Sequence, residues 1–327
     1  MPDDLKIDAA LTAFSTCADR FVREGYRPAE ELERMVERAG GVRCLKAIAM
    51  DYPTTFADPE VALRVLGRHG LGVGMVEVDL YSTPEWKLGS LSAPDAATRE
   101  KAIRLSKQAM DFCAAACGAD VQLWLGQDGY DYPFQVDYAA SWARLLGGIQ
   151  EIAAHRSDVR LTIEYKIKEP RNRCHVSTVG RAWAIVSRVG LRHVGCTLDV
   201  GHSLMAQENP AEAAVILGRE GRLFHLHLND CYRDWDHDMV PGTVNLWETV
   251  ELFYWLERVA FDGWYGIDIY PYREEGAAAL QMAVDSIYLF HDLARRAAEA
   301  GIGEHLARHD ALGAHALLRK ELLAGRR

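Results

Sequence analysis

Four side chains that could bind a metal stand at the ends of four consecutive apolar segments in the second half of the chain. They are Glu164, Asp199, His227 and Asp268. A carboxylate or imidazole in an apolar strand costs free energy unless a hydrogen bond or a cation compensates it. Three carboxylates and one histidine form a hard, oxygen-rich donor set, which favours Mg²⁺ or Mn²⁺ over a thiolate zinc site. These residues therefore predict a divalent-metal site.

Further acidic and histidine residues lie close to these four in the sequence. A histidine follows Asp199 by three positions, and residues 234–238 read Asp-Trp-Asp-His-Asp. A solvated acidic loop is the alternative, but so many carboxylates near His227 would repel one another without a cation. We therefore predict a second ion, so that one or two ions of Mg²⁺, Mn²⁺ or Co²⁺ bind per chain. The ligands of the second ion would be His202, Asp236 and Asp238.

Two other polar residues are expected to face the same interior. Lys166 is two positions after Glu164, so both side chains point to the same side of their strand. A solvated ion pair at the rim is the alternative reading of these two residues. His225 would lie one layer deeper than His227, and we expect it to be a hydrogen-bonded core or supporting histidine.

The alternation of strands and helices explains how these residues could meet. Eight apolar segments read as strands: residues 11–16, 45–50, 73–78, 121–125, 161–165, 194–198, 223–228 and 266–269. Amphipathic helical patterns alternate with them: residues 28–39, 59–69, 96–117, 136–155, 178–189, 210–217, 246–259 and 274–300. These units predict an α/β fold, one closed (β/α)₈ TIM barrel over residues 1–300, with a C-terminal helical extension over 301–327. The polar strand ends would then meet at one mouth of the barrel.

An open doubly wound sheet is the alternative fold. It would carry a glycine-rich phosphate-binding turn after its first strand. The residues that follow segment 11–16 read Cys-Ala-Asp-Arg, so this turn is missing and the barrel is favoured.

Composition narrows the class of function. The 327 residues include 37 Lys and Arg against 47 Asp and Glu, giving a formal net charge of −10. A hydrophobic fraction of 49% and a charged fraction of 26% are typical of a folded protein. The acidic balance disfavours a nucleic-acid partner, and the absence of a long apolar run disfavours a membrane span. Residues 1–4 show no leader pattern. Seven scattered cysteines, an odd number, favour a reducing compartment, so we expect a cytoplasmic location.

Five short motifs occur in order on the predicted strands and the loops beside them. They cover residues 86–92, 124–129, 164–166, 198–202 and 227–230. In this order they resemble the xylose isomerase-like barrel superfamily, and within it most the L-rhamnose isomerase family.

The resemblance implies the same two sets of metal ligands. The first set would hold a structural ion, and the second a catalytic ion. The acidic loop is one residue longer than the family pattern, so Asp234 is an alternative to Asp236 as a ligand of the catalytic ion.

The resemblance also implies residues that act on the substrate. Lys166 and His202 would contact the sugar, and Trp124 would shield its reacting carbons. Asp236 or Asp238 would take part in moving the hydroxyl proton. Asp51 aligns near the position of the ring-opening histidine of the family, so a carboxylate would have to act as the base there.

The function implied is an aldose–ketose isomerase that works by a metal-assisted hydride shift between C1 and C2. The substrate would be a pentose, a branched pentose such as apiose, or a deoxyhexose such as rhamnose, and the enzyme a homodimer or homotetramer. The main alternative is a ketose 3-epimerase that transfers protons between two carboxylates, and a keto-sugar or inositol dehydratase is a weaker one. A non-catalytic sugar-binding barrel is also weaker, because it would not need Lys166 or Trp124.

Overall fold

The computed structural model describes residues 5–116 and 120–323, and its central feature is a closed barrel of eight parallel strands. The strands are β1 (Ile7–Ala10), β2 (Ala47–Tyr52), β3 (Gly72–Val78), β4 (Asp120–Trp124), β5 (Leu161–Glu164), β6 (Val194–Asp199), β7 (Leu223–Leu228) and β8 (Trp264–Ile267). Each strand pairs with the next, and β8 pairs with β1 to close the barrel. The predicted (β/α)₈ fold is therefore confirmed.

Some sequence predictions fall on residues outside the described ranges. They are the absence of a leader in residues 1–4, the helix end at Cys117, and positions 324–327 of the extension.

The first strand lies earlier in the chain than the sequence predicted. It covers Ile7–Ala10, whereas residues Leu11–Phe14 of the predicted segment 11–16 form a 3₁₀ turn. Asp8 made the true strand look polar, yet its side chain is fully buried inside the barrel. The prediction for this strand was wrong because an interior acid interrupted the apolar pattern.

The outer ring of the barrel consists of helices. They are α1 (Leu32–Gly40), α2 (Pro59–Gly67), α3 (Ala96–Ala115), α4 (Tyr138–Ala153), α5 (Val179–Val189), α6 (Val200–Met205), α7 (Pro210–Gly218), α8 (Leu246–Arg258) and α9 (Gly276–Glu299). Side chains of Asp58, Asp95, Asp137 and Thr178 accept backbone N–H groups at the starts of α2 to α5. These caps fix where each helix begins relative to the preceding strand.

The short helix α6 was not expected from the sequence. It begins directly after β6, and the Asp199 side chain accepts the N–H of His202 at 2.7 Å. This single turn brings His202 back over the end of its own strand.

The interior of the barrel contains a buried polar network below the mouth. His225 Nε2 lies 3.3 Å from Asp8 Oδ1, and its Nδ1 lies 3.3 Å from Asp120 Oδ2. Arg160 donates two bonds to Asp120, at 2.5 and 2.9 Å. Burial lowers the pKa of His225, but the neighbouring Asp8 and Asp120 outweigh it and raise the pKa. His225 is thus a hydrogen-bonded interior histidine, as expected.

Two more helices follow the barrel, α10 (Ile302–Ala307) and α11 (Ala311–Leu323). Ala314 and Leu317 of α11 pack against the hydrophobic core of their own chain. Arg296 of α9 donates to the main-chain carbonyl of Glu321. Within the described ranges, the structure contains no helix with the length and apolar character needed to cross a bilayer.

Candidate active site

A cavity of about 280 Å³ opens where the carboxyl ends of the strands meet. It contains most of the site residues predicted from the sequence: Asp51, Trp124, Glu164, Lys166, His202, His227, Asp236, Asp238 and Asp268. Asp199 is fully buried beside it. In this fold the loops and strand ends at this face build the catalytic site.

Three of the predicted metal ligands converge closely. Glu164, Asp199 and His227 each offer one donor atom, and these atoms all lie within 4.8 Å of one another. His227 Nδ1 is 3.4 Å from Glu164 Oε1 and 3.5 Å from Oδ2 of Asp268, the fourth predicted ligand. Carboxylate and imidazole donors fit Mg²⁺ or Mn²⁺, so these residues could hold such an ion.

The electrostatics of this cluster also fit a cation. Burial raises the pKa of Glu164, but the adjacent His227 and His202 outweigh it and bring the pKa to about 2. Burial raises the pKa of Asp199 to about 7, and the charge of Glu164 adds to that rise. A divalent cation would offset both the burial and the mutual repulsion of the two carboxylates.

Two amide side chains orient the acidic ligands. Gln122 Nε2 donates to Glu164 Oε2 at 2.6 Å, and Asn229 Nδ2 donates to Asp199 Oδ2 at 2.9 Å. Asn229 also accepts the N–H of Gly201 at 2.7 Å. A Cβ at position 201 would come within 2.7 Å of the Asn229 amide oxygen, so this close approach requires glycine. No role was predicted for Gln122 from the sequence, although it is polar and stands two positions before Trp124 on β4.

A second group of side chains centres on Asp236. Its Oδ2 lies 2.6 Å from Lys166 Nζ and 3.0 Å from His202 Nε2. The ammonium of Lys166 is 5.3 Å from the ring centre of Trp124. Burial lowers the pKa of Lys166, but the charges of Asp236 and Asp238 outweigh it and raise the pKa above the usual range. Lys166 is therefore a fixed positive charge on the wall of the cavity.

The length of the acidic loop left Asp234 and Asp236 as alternative metal ligands, and the two residues differ clearly in the structure. Asp236 is buried within the group just described. The side chain of Asp234 is 79% exposed and lies 3.9 Å from His237. Asp234 contributes its main-chain carbonyl, which accepts a hydrogen bond from Lys168. Asp236 is the residue that reaches the cavity.

The residues predicted for a second ion meet less completely. His202 and Asp236 are in direct contact, whereas Asp238 Oδ1 lies 3.4 Å from Asn229 Nδ2, which also donates to Asp199. Asp238 has a left-handed backbone conformation with φ 45°, which is unusual for a residue with a Cβ. Its carbonyl accepts the N–H of Tyr270 at 2.9 Å, which fixes this conformation.

The opposite wall of the cavity carries a second acidic pair. Asp51 is the penultimate residue of β2, and the hydroxyl of Tyr81 donates to its Oδ1 at 2.7 Å. Glu77 of β3 lines the same cavity and is in register with Asp51. Glu77 was not predicted from the sequence, although it interrupts an apolar strand just as Asp268 does. The Tyr81 ring meets Trp124 edge-on at 4.7 Å and so connects the two walls.

Two buried aspartates hold the loops that frame the cavity. Asp128 accepts the N–H groups of Ser90 and Ser92 at 3.1 and 2.6 Å, which joins the loops after β3 and β4. Asp230 accepts the N–H groups of Val244 and Asn245 at 2.7 and 3.0 Å, which anchors the far end of the acidic loop. Both acids belong to the short motifs noted in the sequence, and their part in the structure is to position loops.

Comparison with known proteins gives the chain its relatives. It is similar to the xylose isomerase of Thermus thermophilus, with 29% identity over 236 residues, which cover 69% of this chain and 61% of that enzyme. The chain thus matches about three-fifths of the length of this relative.

Solved structures share the fold at lower identity. One is an L-ribulose 3-epimerase, with a TM-score of 0.71 and 17% identity, covering 91% of this chain and 98% of the other. Another is a D-allulose 3-epimerase from Methylomonas sp., with a TM-score of 0.68 and 15% identity, covering 88% and 99%. At this identity they support the barrel architecture alone.

A family model described as the xylose isomerase-like TIM barrel matches residues 34–288. This stretch contains seven of the eight strands and the predicted ligands of both sets. The chain belongs to the xylose isomerase-like TIM barrel family.

Proposed function

We propose that this chain is a divalent-metal-dependent sugar isomerase that interconverts an aldose and a ketose by a hydride shift between C1 and C2. The observation that carries the proposal is the fixed ammonium of Lys166 next to the buried Glu164, Asp199 and His227 trio. Lys166 contacts Asp236, Asp236 contacts His202, and His202 Nδ1 lies 3.0 Å from Glu164 Oε1. One cavity thus offers a cation site and an ammonium to adjacent oxygens of a sugar.

Glu164, Asp199, His227 and Asp268 would hold the metal. When bound there, Mg²⁺ or Mn²⁺ supplies a Lewis acid that polarises the carbonyl and hydroxyl oxygens of the sugar. Lys166 adds a positive charge that is already in place where negative charge develops on the substrate oxygen. The ammonium needs no reorganisation during the reaction, because Asp236 and Trp124 hold it on the cavity wall.

The two aspartates of the acidic loop would divide the proton transfer between them. Burial raises the pKa of Asp236, but His202 and Lys166 outweigh burial and lower the pKa. Asp236 therefore stays ionised and would orient the substrate hydroxyl. Its Oδ1 has no hydrogen-bond partner among the described residues and is available to the sugar. Burial and the charge of Asp236 raise the pKa of Asp238, which makes Asp238 the more basic of the two carboxylates and the one that we assign to proton transfer.

Trp124 would cover the reacting carbons. Its indole N–H is buried and has no partner within the described residues, so it can donate to a sugar oxygen. With Tyr81 packed against it, the indole keeps water away from the carbons between which the hydride moves.

A ketose 3-epimerase is the second candidate. Glu164 Oε1 and Asp268 Oδ2 flank His227 at 3.4 and 3.5 Å, so carboxylates on β5 and β8 stand close enough to act as two bases around one ion. We favour the isomerase because Asp268 is a short side chain that already belongs to the ligand cluster, and because the epimerase route leaves the buried ammonium of Lys166 without a role.

The number of ions is part of the proposal. Donor atoms of Glu164, Asp199 and His227 already converge for one ion, whereas a second ion would have to share Asp236 with Lys166. We propose that the first site binds more tightly and that a second ion enters with the substrate. We also propose that the chain forms a homodimer or a homotetramer and is located in the cytoplasm. A small-molecule sugar would be its only other partner.

The proposal is tested by assaying purified protein, loaded in turn with Mn²⁺, Mg²⁺ and Co²⁺, against a panel of pentoses, branched pentoses and deoxyhexoses. We expect aldose–ketose interconversion that exhaustive chelation abolishes and metal restores. Interconversion that survives exhaustive chelation would overturn the metal-dependent mechanism.

A further inference from the structure

A second cavity lies beside the catalytic one, on the side of the mouth where the loops after β1, β7 and β8 meet. Its volume is about 570 Å³, compared with about 280 Å³ for the catalytic cavity. Asp238 and Tyr270 line both cavities, and the N–H of Tyr270 donates to the Asp238 carbonyl at 2.9 Å. A ligand that extends beyond the catalytic cavity past this pair would therefore enter the second cavity.

Aromatic side chains from all three loops line the second cavity. They are Phe21, Tyr26, Tyr232, Trp235, Tyr270 and Tyr272. Phe21 and Tyr232 are 75% and 63% exposed, so their rings are open to a ligand. Exposed large apolar side chains that gather at one place mark a binding site more often than an ordinary surface.

The rings on the β1 and β8 side are held in place by one another and by the backbone. Tyr26 meets Tyr272 edge-on with ring centres 5.6 Å apart, and Tyr272 meets Tyr270 at 4.9 Å. Arg27 donates to the main-chain carbonyl of Pro271, which ties the loop after β1 to the loop after β8. This wall of the cavity is therefore formed before any ligand binds.

The remaining rings are also fixed. Asp19 Oδ1 accepts the N–H of Phe21 at 2.7 Å, which sets the turn that presents this ring. Across the cavity, His237 lies beside the rings of Tyr232 and Trp235, with ring centres 5.5 and 5.6 Å away. Its Nδ1 is 2.8 Å from the Trp235 carbonyl oxygen. A preformed surface of this kind loses little freedom on binding, which favours affinity.

The other residues of the cavity indicate what kind of group it accepts. Side chains that can form hydrogen bonds stand among the rings: Asp19, Thr243, Arg273 and Glu274. A sugar ring has apolar C–H faces that stack on aromatic rings and hydroxyl groups around its edge that form hydrogen bonds. A purely aromatic group would stack equally well but would leave these polar side chains unused. Aromatic walls with a few polar groups therefore favour a sugar ring.

We propose that the aromatic cavity is a subsite for a second sugar unit, so that the substrate is a reducing disaccharide or a short oligosaccharide. This inference rests on the proposed function. C1 and C2 of the reducing-end unit must stay free for the hydride shift, so the second unit is linked through a hydroxyl beyond C2. Contacts with this remote unit hold the reducing end in the catalytic cavity and raise kcat/KM.

The experiment compares each monosaccharide with its own disaccharide. The pairs are xylose and xylobiose, arabinose and arabinobiose, and rhamnose and rhamnobiose, each disaccharide with a free reducing end and a linkage beyond C2. Turnover is measured with the Mn²⁺-loaded wild type, Phe21→Ala, Tyr232→Ala and the control Phe134→Ala, whose fully exposed ring lines neither cavity. Isothermal titration with the reduced sugars, which have no carbonyl group and cannot isomerise, measures binding without turnover.

We expect at least one disaccharide to exceed its monosaccharide by about 10-fold or more in kcat/KM, as the stacking of a ring on two aromatic side chains allows. Its reduced form should bind more tightly than the reduced monosaccharide. Phe21→Ala and Tyr232→Ala should each lose about 3- to 10-fold with the disaccharide, the usual effect of removing one stacked ring. Their kinetics with the monosaccharide, and those of Phe134→Ala with both sugars, should match the wild type.

Two results would overturn the inference: disaccharides that are no better than their monosaccharides in every pair, or equal losses with both sugars in Phe21→Ala. Tighter binding of a benzoate ester of arabinose, with no gain from any disaccharide, would assign the cavity to an aromatic group instead. Sedimentation velocity completes the comparison, since an oligomer that dissociates in Phe21→Ala and Tyr232→Ala would assign the cavity to a contact between copies.

Failure of the proposed function gives a different pattern. In that case the wild type interconverts none of the sugars, while a reduced disaccharide still binds more tightly than the reduced monosaccharide and loses this gain in Phe21→Ala. That pattern would support the subsite and reject the isomerase.

Discussion

Lys166 and Asp236 lie 2.6 Å apart with little contact to water, and His202 shares the same carboxylate oxygen. A buried ion pair of this kind adds little net stability, because the loss of hydration offsets the attraction between the charges. Its value is therefore in placing a charge where the substrate binds. We therefore expect Lys166 to contribute to catalysis and not to metal binding.

Replacing the ammonium of Lys166 tests this separation. We expect Lys166→Met to bind the first metal ion as the wild type does and to lose about 100- to 1,000-fold in kcat, as when a preorganised charge donor is removed. Steady-state kinetics and metal analysis by mass spectrometry measure the two effects. The surface variant Lys107→Met, which loses only a partly exposed pair with Glu151, serves as control. Turnover close to that of the wild type in Lys166→Met would remove Lys166 from the mechanism.

The amide of Asn229 offers a test of ligand orientation. It donates to Asp199 and accepts from Gly201. We expect Asn229→Ala to weaken metal binding about 10- to 100-fold, the usual effect of losing a residue that orients a ligand. Isothermal titration with Mn²⁺ gives the affinity, and Asn172→Ala, a surface change beside Asp131, is the matched control. An unchanged affinity in Asn229→Ala would show that Asp199 needs no such support.

The loops at the mouth depend on buried acids that are remote from the metal ligands. Asp128 is fully buried and accepts main-chain N–H groups from the preceding loop. Its loop leads directly from Trp124, so the position of the indole depends on this anchor. By contrast, Asp58 caps α2 on the outside of the barrel and touches neither loop.

These two aspartates should differ when each is replaced by alanine. Asp128→Ala leaves two buried N–H groups without partners, so we expect the free energy of unfolding to fall by about 2 to 4 kcal/mol. Activity should fall as well, because Trp124 loses its support. Asp58→Ala should cost about 1 kcal/mol and leave turnover unchanged. Urea unfolding and kinetics measure both variants, and equal effects of the two would contradict the anchoring role of Asp128.

Individual elements show what the sequence could and could not reveal. The polar residues of β5 to β8 were recognisable because each follows an apolar strand, and they meet in the structure. Asp8 and Glu77 also interrupt apolar strands, but neither was given a role from the sequence. As a result β1 was predicted at the wrong residues, and the pairing of Glu77 with Asp51 was not predicted. The short helix α6 and the distinction between Asp236 and Asp234 depend on loop geometry, which strand periodicity does not encode. The finer likeness to L-rhamnose isomerases stays a prediction.

For the molecule as a whole, the net charge of −10 has a partial explanation in the barrel mouth. Carboxylates from strands and loops on all sides converge on one cavity of about 280 Å³. Their mutual repulsion opposes folding, and the energy is recovered only when a cation binds. Metal binding and global stability should therefore be linked.

This linkage can be measured by thermal unfolding. At a free Mn²⁺ concentration of about 100 times Kd, binding to the native state alone adds about 2.7 kcal/mol. We expect Tm to rise with Mn²⁺ concentration in the wild type and in the exposed control Asp262→Asn, and to stay nearly constant in Asp199→Asn. A rise of equal size in Asp199→Asn would place the stabilising ion elsewhere on the molecule.

The central claim is that hydrogen moves directly between two carbons of the sugar. It is tested most directly by supplying an aldose deuterated at C2 to the metal-loaded enzyme in ordinary water, and by locating the deuterium in the ketose by NMR and mass spectrometry. A hydride shift predicts that most of the deuterium is found at C1 of the ketose. Loss of the deuterium to water would contradict the account and favour proton transfer by the carboxylates.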